Sequence, residues 1–345
     1  MKVLLAMSGG VDSSVAGALL LDAGHEVVGV TMRLWGGESD TGCCSVADVD
    51  DARRVAQQLH IDHLVFNFSE DFADHVVQPY VDAHAVGITP NPCIECNRHL
   101  KFARLSERAD LLGFDAVATG HHARIEPRPN GRFALLRAVD QAKDQSYVVH
   151  MLDQRDLART LFPIGELSKS EVRARAATLG LRTAGKPDSQ DVCFITSTGG
   201  RRAFLGSRIP FNVASVRDVA GADVGEVDAV EMVTLGQRRG LPLGGSAERR
   251  YVVDIDVEQR VVTVGREADL FVPALDVRQV VWTNGPVSGP VRVQASAHGE
   301  THAAELDPKG TVKWESPQRR VAPGQSIVFY DSSDTEVLGG GIAVA

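Results

Sequence analysis

Lys2-Val3-Leu4-Leu5-Ala6-Met7 runs straight into Ser8-Gly9-Gly10-Val11-Asp12-Ser13-Ser14, and an apolar, Ala-rich stretch follows from Val15 to Leu21. The first segment reads as a buried parallel strand and the last as a helix. Between them lies a Gly-Gly turn flanked by hydroxyls. Such a turn lets backbone N–H groups approach a phosphate closely. The helix N-terminus adds partial positive charge, and Ser8, Ser13 and Ser14 add hydroxyl donors. The segment therefore predicts an anion cradle rather than an ordinary strand-to-helix joint. It is not a Walker loop, because no Gly-Lys-Ser/Thr follows.

Working outward, Glu26 to Met32 reads as a second strand, followed by a Gly-rich loop from Trp35 to Gly42 at the strand end where open parallel sheets place ligands. Ser45 is positioned to cap a helix from Val46 to Leu59, with Asp48 in the capping-box position. Ile61 to Phe68 and Phe114 to Thr119 read as further strands, the last ending at Gly120-His121-His122. Phe72 to Gly87 and Leu100 to Leu112 read as helices, separated by Thr89-Pro90-Asn91-Pro92-Cys93, where two prolines interrupt regular structure. This alternation predicts a doubly wound parallel α/β sheet.

After Gly120 the texture changes. Arg132 to Val139 looks like half of a hairpin, Gln145 to Leu152 and Glu171 to Leu181 are helical candidates, and Thr183 to Cys193 is polar and turn-rich. Beyond Gly200, short alternating segments (Arg250–Ile255, Val261–Val264, Val277–Trp282, Val291–Ala297, Thr311–Trp314 and Ser326–Tyr330) predict an all-β module. Gly339-Gly340-Gly341, near the end, gives no partner signal. The expected division is a catalytic domain over 1–200, a small central domain over 201–264 and a β-barrel over 265–345.

At 345 residues, several domains are expected. No apolar run is long enough to span a membrane, and the immediate first strand leaves no room for a signal peptide. Five cysteines, an odd number, make no disulfide framework and point to a reducing, cytoplasmic setting. The net charge is −9, and residues 1–120 alone hold 17 Asp/Glu against 8 Lys/Arg. The remainder is close to neutral and carries the basic pairs Arg201-Arg202, Arg238-Arg239, Arg249-Arg250 and Arg319-Arg320, which can build a phosphate-contacting face.

Cys93 and Cys96 form Cys-x-x-Cys, and Cys193 lies apart in Ser189-Gln190-Asp191-Val192-Cys193-Phe194. Structural zinc needs a fourth ligand, and no second Cys-x-x-Cys exists. From the residues alone, two readings stand: three thiolates holding an iron–sulfur cluster with one open site, or a redox or sulfur relay in which one thiol attacks and another carries or resolves. Cys43 and Cys44 are adjacent and read as accessory thiols.

The first motif resembles the SGGxDS PP-loop of N-type ATP pyrophosphatases. SGGVDSS, GCCS (Gly42 to Ser45), TPNPCxxCN followed by Lys101-Phe102, ATGHHAR (Ala118 to Arg124), KDQSY (Lys143 to Tyr147), SQDVCF and GQRRGL (Gly236 to Leu241) occur in that order. This series resembles the tRNA-specific 2-thiouridylase family. The resemblance implies a PP-loop (adenine nucleotide alpha hydrolase-like) domain, a small central domain and a C-terminal β-barrel. It implies ATP-dependent replacement of the C2 oxygen of the wobble uridine by sulfur. Adenylation makes that oxygen part of AMP, a good leaving group, with pyrophosphate as the other product. The alternatives are cluster-dependent thiolation at the same site, another PP-loop adenylating enzyme, or a tRNA-binding protein that holds ATP without turnover.

Carried over by position, the resemblance places ATP on Ala6, Met7, Ser8, Gly9, Gly10, Val11, Asp12 and Ser13, with Met32 on the adenine and Gly120 closing the pocket. It makes Cys193 the persulfide carrier and Cys96 the nucleophile, able to form a redox-active disulfide with Cys193, and a depressed pKa is expected at Cys96. It assigns tRNA contacts to His121, Lys143, Asp144, Gln145 and Gln325. Asp12 either positions Mg2+ or orients the loop. Many relatives carry Asp where this chain has Cys93, which strengthens Cys93, Cys96 and Cys193 as candidate ligands of a 4Fe-4S cluster. Gln294 to Gly299 lacks the Arg-Tyr pair that touches tRNA in relatives. The implied partners are the tRNA anticodon stem-loop, its target base flipped out of the stack into the pocket between Gly9 and Cys96, and a persulfide-carrying donor protein, with no membrane.

Overall fold

The computed structural model describes residues 1–35, 46–188, 192–195, 200–241 and 249–344. Expectations for Ser45, Cys43, Cys44 and Ser189 to Asp191 lie outside them.

The opening strand β1 (Lys2–Ala6) sits at the centre of a five-stranded sheet. Its neighbours are β2 (Glu26–Arg33), β3 (Asp62–Asn67), β4 (Ala116–Ala118) and, later in the chain, β7 (Thr160–Leu161), in the order β3-β2-β1-β4-β7. All four pairings are parallel. Leu4 and Ala6 face one core while Val3, Leu5 and Met7 face the other. Burial on both faces explains the unbroken apolar run in β1.

Helices α1 (Val11–Asp22) and α2 (Val46–Gln58) cover the Val3/Leu5 face, together with α8 (Lys169–Thr178). The opposite face carries two helical runs. One consists of α3 (Ser69–Phe72), a π-helical turn (Ala73–Val77) and α4 (Gln78–Ala85). The other consists of α5 (Pro92–Cys96), a π-helical segment (Asn97–Arg104) and α6 (Leu105–Leu111). The prolines at 90 and 92 therefore do not delay the helix to Leu100. Pro92 occupies the first helical position, where its missing N–H costs nothing, and the Asn91 side chain accepts from the Cys93 N–H at 3.1 Å.

The hairpin β5 (Ala123–Pro127) and β6 (Phe133–Arg137) does not join this sheet. The chain then passes through α7 (Gln154–Leu157) and α8 to α9 (Gly200–Gly206). A four-stranded sheet follows, β8 (Ala214–Asp218), β9 (Asp223–Val227), β10 (Tyr251–Asp256) and β11 (Val261–Gly265), in the order β10-β11-β8-β9.

The last strands are β12 (Phe271–Trp282), β13 (Gly289–Gln294), β14 (His302–Leu306), β15 (Thr311–Arg319), β16 (Ser326–Tyr330) and β17 (Glu336–Ala343). They run β12-β15-β14-β13-β16-β17, and β17 pairs back to β12, so the ring closes. The Gly339-Gly340-Gly341 run, silent as sequence, lies in the closing strand. Cβ atoms there would fall 2.5 Å from the Val281 carbonyl oxygen, the His150 ring and the Arg278 carbonyl oxygen respectively. Glu336 and Val337 of β17 pair with β6, so the hairpin of the first domain is an extension of the barrel sheet. A shared core of Ile94, Phe102, Leu135 and Tyr147 with Val328, Tyr330 and Val337 seals that junction.

Candidate active site

β1 and β4 are the strands at which the chain order reverses, and ligands of open parallel sheets bind beyond the carboxyl ends of strands at such a point. The Ser8–Ser13 loop lies there. Gly9 has φ +70°, and a Cβ on it would lie 2.4 Å from the carbonyl oxygen of Asp48. A Cβ on Gly120 would lie 2.6 Å from the backbone nitrogen of Ser13. Residues 9 and 120 are glycine because two backbones meet the loop there. Not every hydroxyl faces outward. The Ser14 hydroxyl donates to the Gly10 carbonyl at 2.7 Å and accepts from Thr183 at 3.1 Å. Ser13 also donates to Gly10, at 3.2 Å, whereas Ser8 is exposed.

A cavity of about 590 Å³ opens over the loop. Ala6, Met7, Ser8, Gly10, Val11, Asp12, Ser13, Met32 and Gly120 line it, while Gly9 stands behind the wall. Cys93, Cys96 and Cys193 line the same cavity, as do His121, Lys143, Asp144 and Gln145. Gln325 is not part of it. Its side chain donates to the Thr89 carbonyl, holding the barrel turn against the loop before α5.

Three residues that sequence reasoning did not place at the site engage the loop. Lys169 Nζ lies 2.7 Å from both carboxylate oxygens of Asp12 and 3.0 Å from Asp188. Lys186 Nζ contacts the Gly9 carbonyl at 3.0 Å, Asp48 at 2.7 Å and Asp51 at 2.9 Å. The third, His122, contacts Asp12 through Nε2 at 3.3 Å. Burial raises the Asp12 carboxyl, but His122 and Lys169 outweigh it and hold the group below its usual range. Burial likewise lowers the Lys186 ammonium, and Asp48 and Asp51 more than reverse this.

Both Asp12 oxygens are thus engaged, and the carboxylate orients the loop. Among the described residues, no group of three His, Cys, Asp or Glu side chains is placed to hold a metal ion. As arranged, Cys93, Cys96 and Cys193 do not form such a group, and the Asp12 carboxylate is turned to Lys169 and His122. Mg2+ ordinarily travels on nucleotide phosphates with several waters of its own.

Cys93 sits in the first turn of α5, and its sulfur accepts from the Val192 N–H at 3.5 Å, which ties the Cys193 segment to the Cys-x-x-Cys helix. Cys96 closes α5, and the π-helical segment begins at the next residue. In an α-helix a residue five positions on points well away, but the wider π turn brings Lys101 round to the side of Cys96. Both line the cavity. Among the described residues, none of the three is in a disulfide. The depressed pKa expected at Cys96 is not found: burial pushes the thiol up to about 12, Lys101 pulls it down, and the charges of Cys193 and Cys93 push it up.

His121 is buried against Phe102 and Phe162, and its Nδ1 pairs with the Thr119 hydroxyl at 2.7 Å. Burial, with Lys101 and His122 nearby, keeps it neutral well below its ordinary pKa. Lys143 reaches outward to Asp188 at 2.9 Å. Asp144 is turned inward, pairing with Arg137 at 2.6 Å and accepting from Ser146 at 2.7 Å. Gln145 accepts from the His122 N–H at 2.9 Å. Of the basic pairs, Arg201 donates to the Met232 carbonyl at 2.9 Å and Arg202 pairs with Asp228 at 2.6 Å, so both are engaged within the protein. Arg238 and Arg239 are exposed.

Fold and site together define a nucleotide-site α/β protein with a three-thiol cavity and an appended β-barrel. Family models agree: residues 1–197 match the tRNA methyl transferase HUP domain, 202–266 the tRNA methyl transferase PRC-barrel domain and 272–343 the aminomethyltransferase beta-barrel domain. Curated relatives named tRNA-specific 2-thiouridylase MnmA are similar over the full length. The protein from Mycobacteroides abscessus is 46% identical over 99% of both chains. That from Mycobacterium bovis is 48% identical over 98% of this chain and 95% of its own, and that from Roseiflexus castenholzii 44% over 99% and 98%. The chain belongs to the tRNA-specific 2-thiouridylase family, whose members are tRNA sulfurtransferases. Among solved structures, the U34-tRNA thiolase NcsA from Methanococcus maripaludis with its 4Fe-4S cluster is 18% identical, with a TM-score of 0.38 over 55% of this chain and 60% of that one. A 4-thiouridine synthetase–RNA complex with bound ATP is 22% identical, with a TM-score of 0.37 over 58% and 46%.

Proposed function

We propose that this chain replaces the C2 oxygen of the tRNA wobble uridine by sulfur, driven by cleavage of ATP to AMP and pyrophosphate. The observation that carries this reading is that Cys93, Cys96 and Cys193 line the same cavity as the Ser8–Ser13 loop, Met32 and Gly120. A nucleotide site alone serves many adenylations, and thiols alone serve redox chemistry. A carbonyl-to-thiocarbonyl exchange needs both within one pocket.

In the first step the uracil O2 attacks the α-phosphorus of ATP. The new P–O bond forms as the α–β bridge breaks, and pyrophosphate leaves over the loop. In the second, the terminal sulfur of a Cys193 persulfide attacks C2, and the C–O bond to AMP breaks. Cys96 then attacks the Cys193 sulfur, leaving sulfur on C2 and a Cys96–Cys193 disulfide that a thiol reductant reopens. Because burial holds the free Cys96 thiol protonated, its proton leaves only when the occupied pocket changes its surroundings. Lys101 is the cation placed to favour that ionisation. We assign tRNA contacts to His121, Lys143 to Gln145 and Gln325, and the reloading of Cys193 to a persulfide-carrying protein in the cytoplasm. No described helix is long and apolar enough to cross a membrane. We assign catalysis to residues 1–200, with 201–264 and 265–345 as the central and barrel domains.

The test is nucleoside mass spectrometry of tRNA incubated with protein, ATP-Mg2+ and a persulfide donor. New 2-thiouridine that disappears in Cys96→Ser and Cys193→Ser is the expected result. AMP release that is unaffected by either substitution and yields no thiouridine would point to another adenylation.

A further inference from the structure

Resting on the ATP-cleaving reading above, we propose that Lys169 and Lys186 hold the phosphates of ATP and the departing pyrophosphate, exchanging loop carboxylates for phosphate oxygens as the nucleotide enters. The Ser8–Ser13 loop has no cation of its own. A polyphosphate anion seated on backbone amides alone would lack the charge compensation that a departing pyrophosphate requires. Two ammonium groups converge on this loop from elsewhere in the chain. Lys186 reaches the Gly9 carbonyl at 3.0 Å, Lys169 grips Asp12 at 2.7 Å, and both line the cavity.

Local structure argues that these positions serve a ligand. Lys169 is the first residue of α8, directly after the Ser168 capping box. A cation in the first turn opposes the helix dipole, and an acidic or neutral residue would suit the helix better. The lysine there is accounted for on the cavity side, where it meets Asp12 and Asp188. Lys186 in turn bridges the loop to α2 through Asp48 and Asp51. Each ammonium is held by carboxylates that orient it, so the cations stand in place before the anion arrives. Exchange at Lys169 would return Asp12 to His122, its other partner at 3.3 Å.

The test uses the full chain and calorimetric titration with inorganic pyrophosphate, ATP and AMP. Lys169→Met and Lys186→Met should each weaken pyrophosphate and ATP about ten- to a hundredfold, the loss of one charge-assisted contact. AMP should change several-fold less. The substitutions strand Asp12, or Asp48 and Asp51, so Lys169→Met/Asp12→Asn and Lys186→Met/Asp51→Asn are measured alongside, and the same selective loss is expected. A merely structural role would weaken AMP equally or restore pyrophosphate binding in the double variants, and either result overturns the proposal. Unchanged pyrophosphate affinity in all four variants, with wild-type AMP release, overturns it while leaving the ATP reading intact. A wild-type protein that binds neither ATP nor pyrophosphate overturns both.

Discussion

The guanidinium of Arg137 lies 3.7 Å over the ring of Tyr330. Arg137 belongs to the β5–β6 hairpin and Tyr330 to the barrel. The same guanidinium pairs with Asp144 at 2.6 Å and Asp334 at 3.0 Å and donates to Gln294 at 2.9 Å. One side chain thus fastens the barrel to the cavity segment Lys143 to Gln145. Arg137→Met leaves the buried Asp144 without a counter-charge and should cost about 3–5 kcal/mol, visible as a lower urea midpoint. Arg137→Lys should fall between, because it keeps the charge but loses the fork. An unchanged midpoint in the Met variant would show that the junction is held by its apolar core alone.

The Cys96 thiol, raised to about 12 by burial, sets a reactivity expectation. At pH 8 iodoacetamide should modify Cys96 in the nucleotide-free protein at least about tenfold more slowly than free cysteine, because the thiolate is the reacting form. Lys101→Met should slow it further, since Lys101 is the charge that favours ionisation. The raised value also has a stability sign. Unfolded cysteine ionises near pH 9 while the folded thiol stays protonated, so this contribution is intact below pH 9 and is lost as pH rises towards 12. Peptide mapping of alkylated protein checks both rates, and Cys96 labelling as fast as free cysteine would contradict the burial argument.

Backbone proximity separates two loop-facing glycines. Gly120→Ala drives a Cβ to 2.6 Å from the Ser13 nitrogen, and the whole loop must yield. ATP affinity should fall at least about tenfold, with a loss of stability in the range of overpacked cores, about 1–3 kcal/mol. Gly10→Ala meets only the Ser8 hydroxyl oxygen at 3.4 Å, so its melting temperature should stay within a few degrees of wild type. Equal melting temperatures for the two variants would show that the loop has room the structure does not display.

For tRNA, the exposed Arg238 and Arg239 are expected to carry phosphate contacts, and the internally engaged Arg201 and Arg202 are not. Arg238→Glu/Arg239→Glu should weaken tRNA binding and reduce the slope of log affinity against log salt by about 2. A salt slope equal to wild type would remove these arginines from the interface.

The Ser8–Ser13 loop was legible because strand, turn and helix are contiguous, and each carries its own local signal. The parallel sheet and the barrel were legible from alternation. Lys169 and Lys186 were not, because their loop partners Asp12 and Gly9 lie 157 and 177 positions away in sequence, and only topology brings them together. The π-helical segment that turns Lys101 towards Cys96 has no residue pattern to distinguish it from an α-helix. The closing strand was missed because its glycines carry no apolar alternation. They are there to admit neighbouring backbone and the His150 ring. The Cys96 expectation failed for a related reason: Cys-x-x-Cys spacing says nothing about how deeply the second sulfur is buried.

β17 closes the barrel and also pairs with β6, some two hundred residues earlier. At translation rates of about 5–20 residues per second, the hairpin leaves the ribosome roughly ten to forty seconds before the strand it is built to meet. Until then its β6 edge is an open ladder of donors and acceptors on a nascent chain. The β5–β6 hairpin therefore completes its pairing only after β17 has been made. A chain without β17 keeps its nucleotide loop but loses both the strand that closes the barrel and the partner of β6.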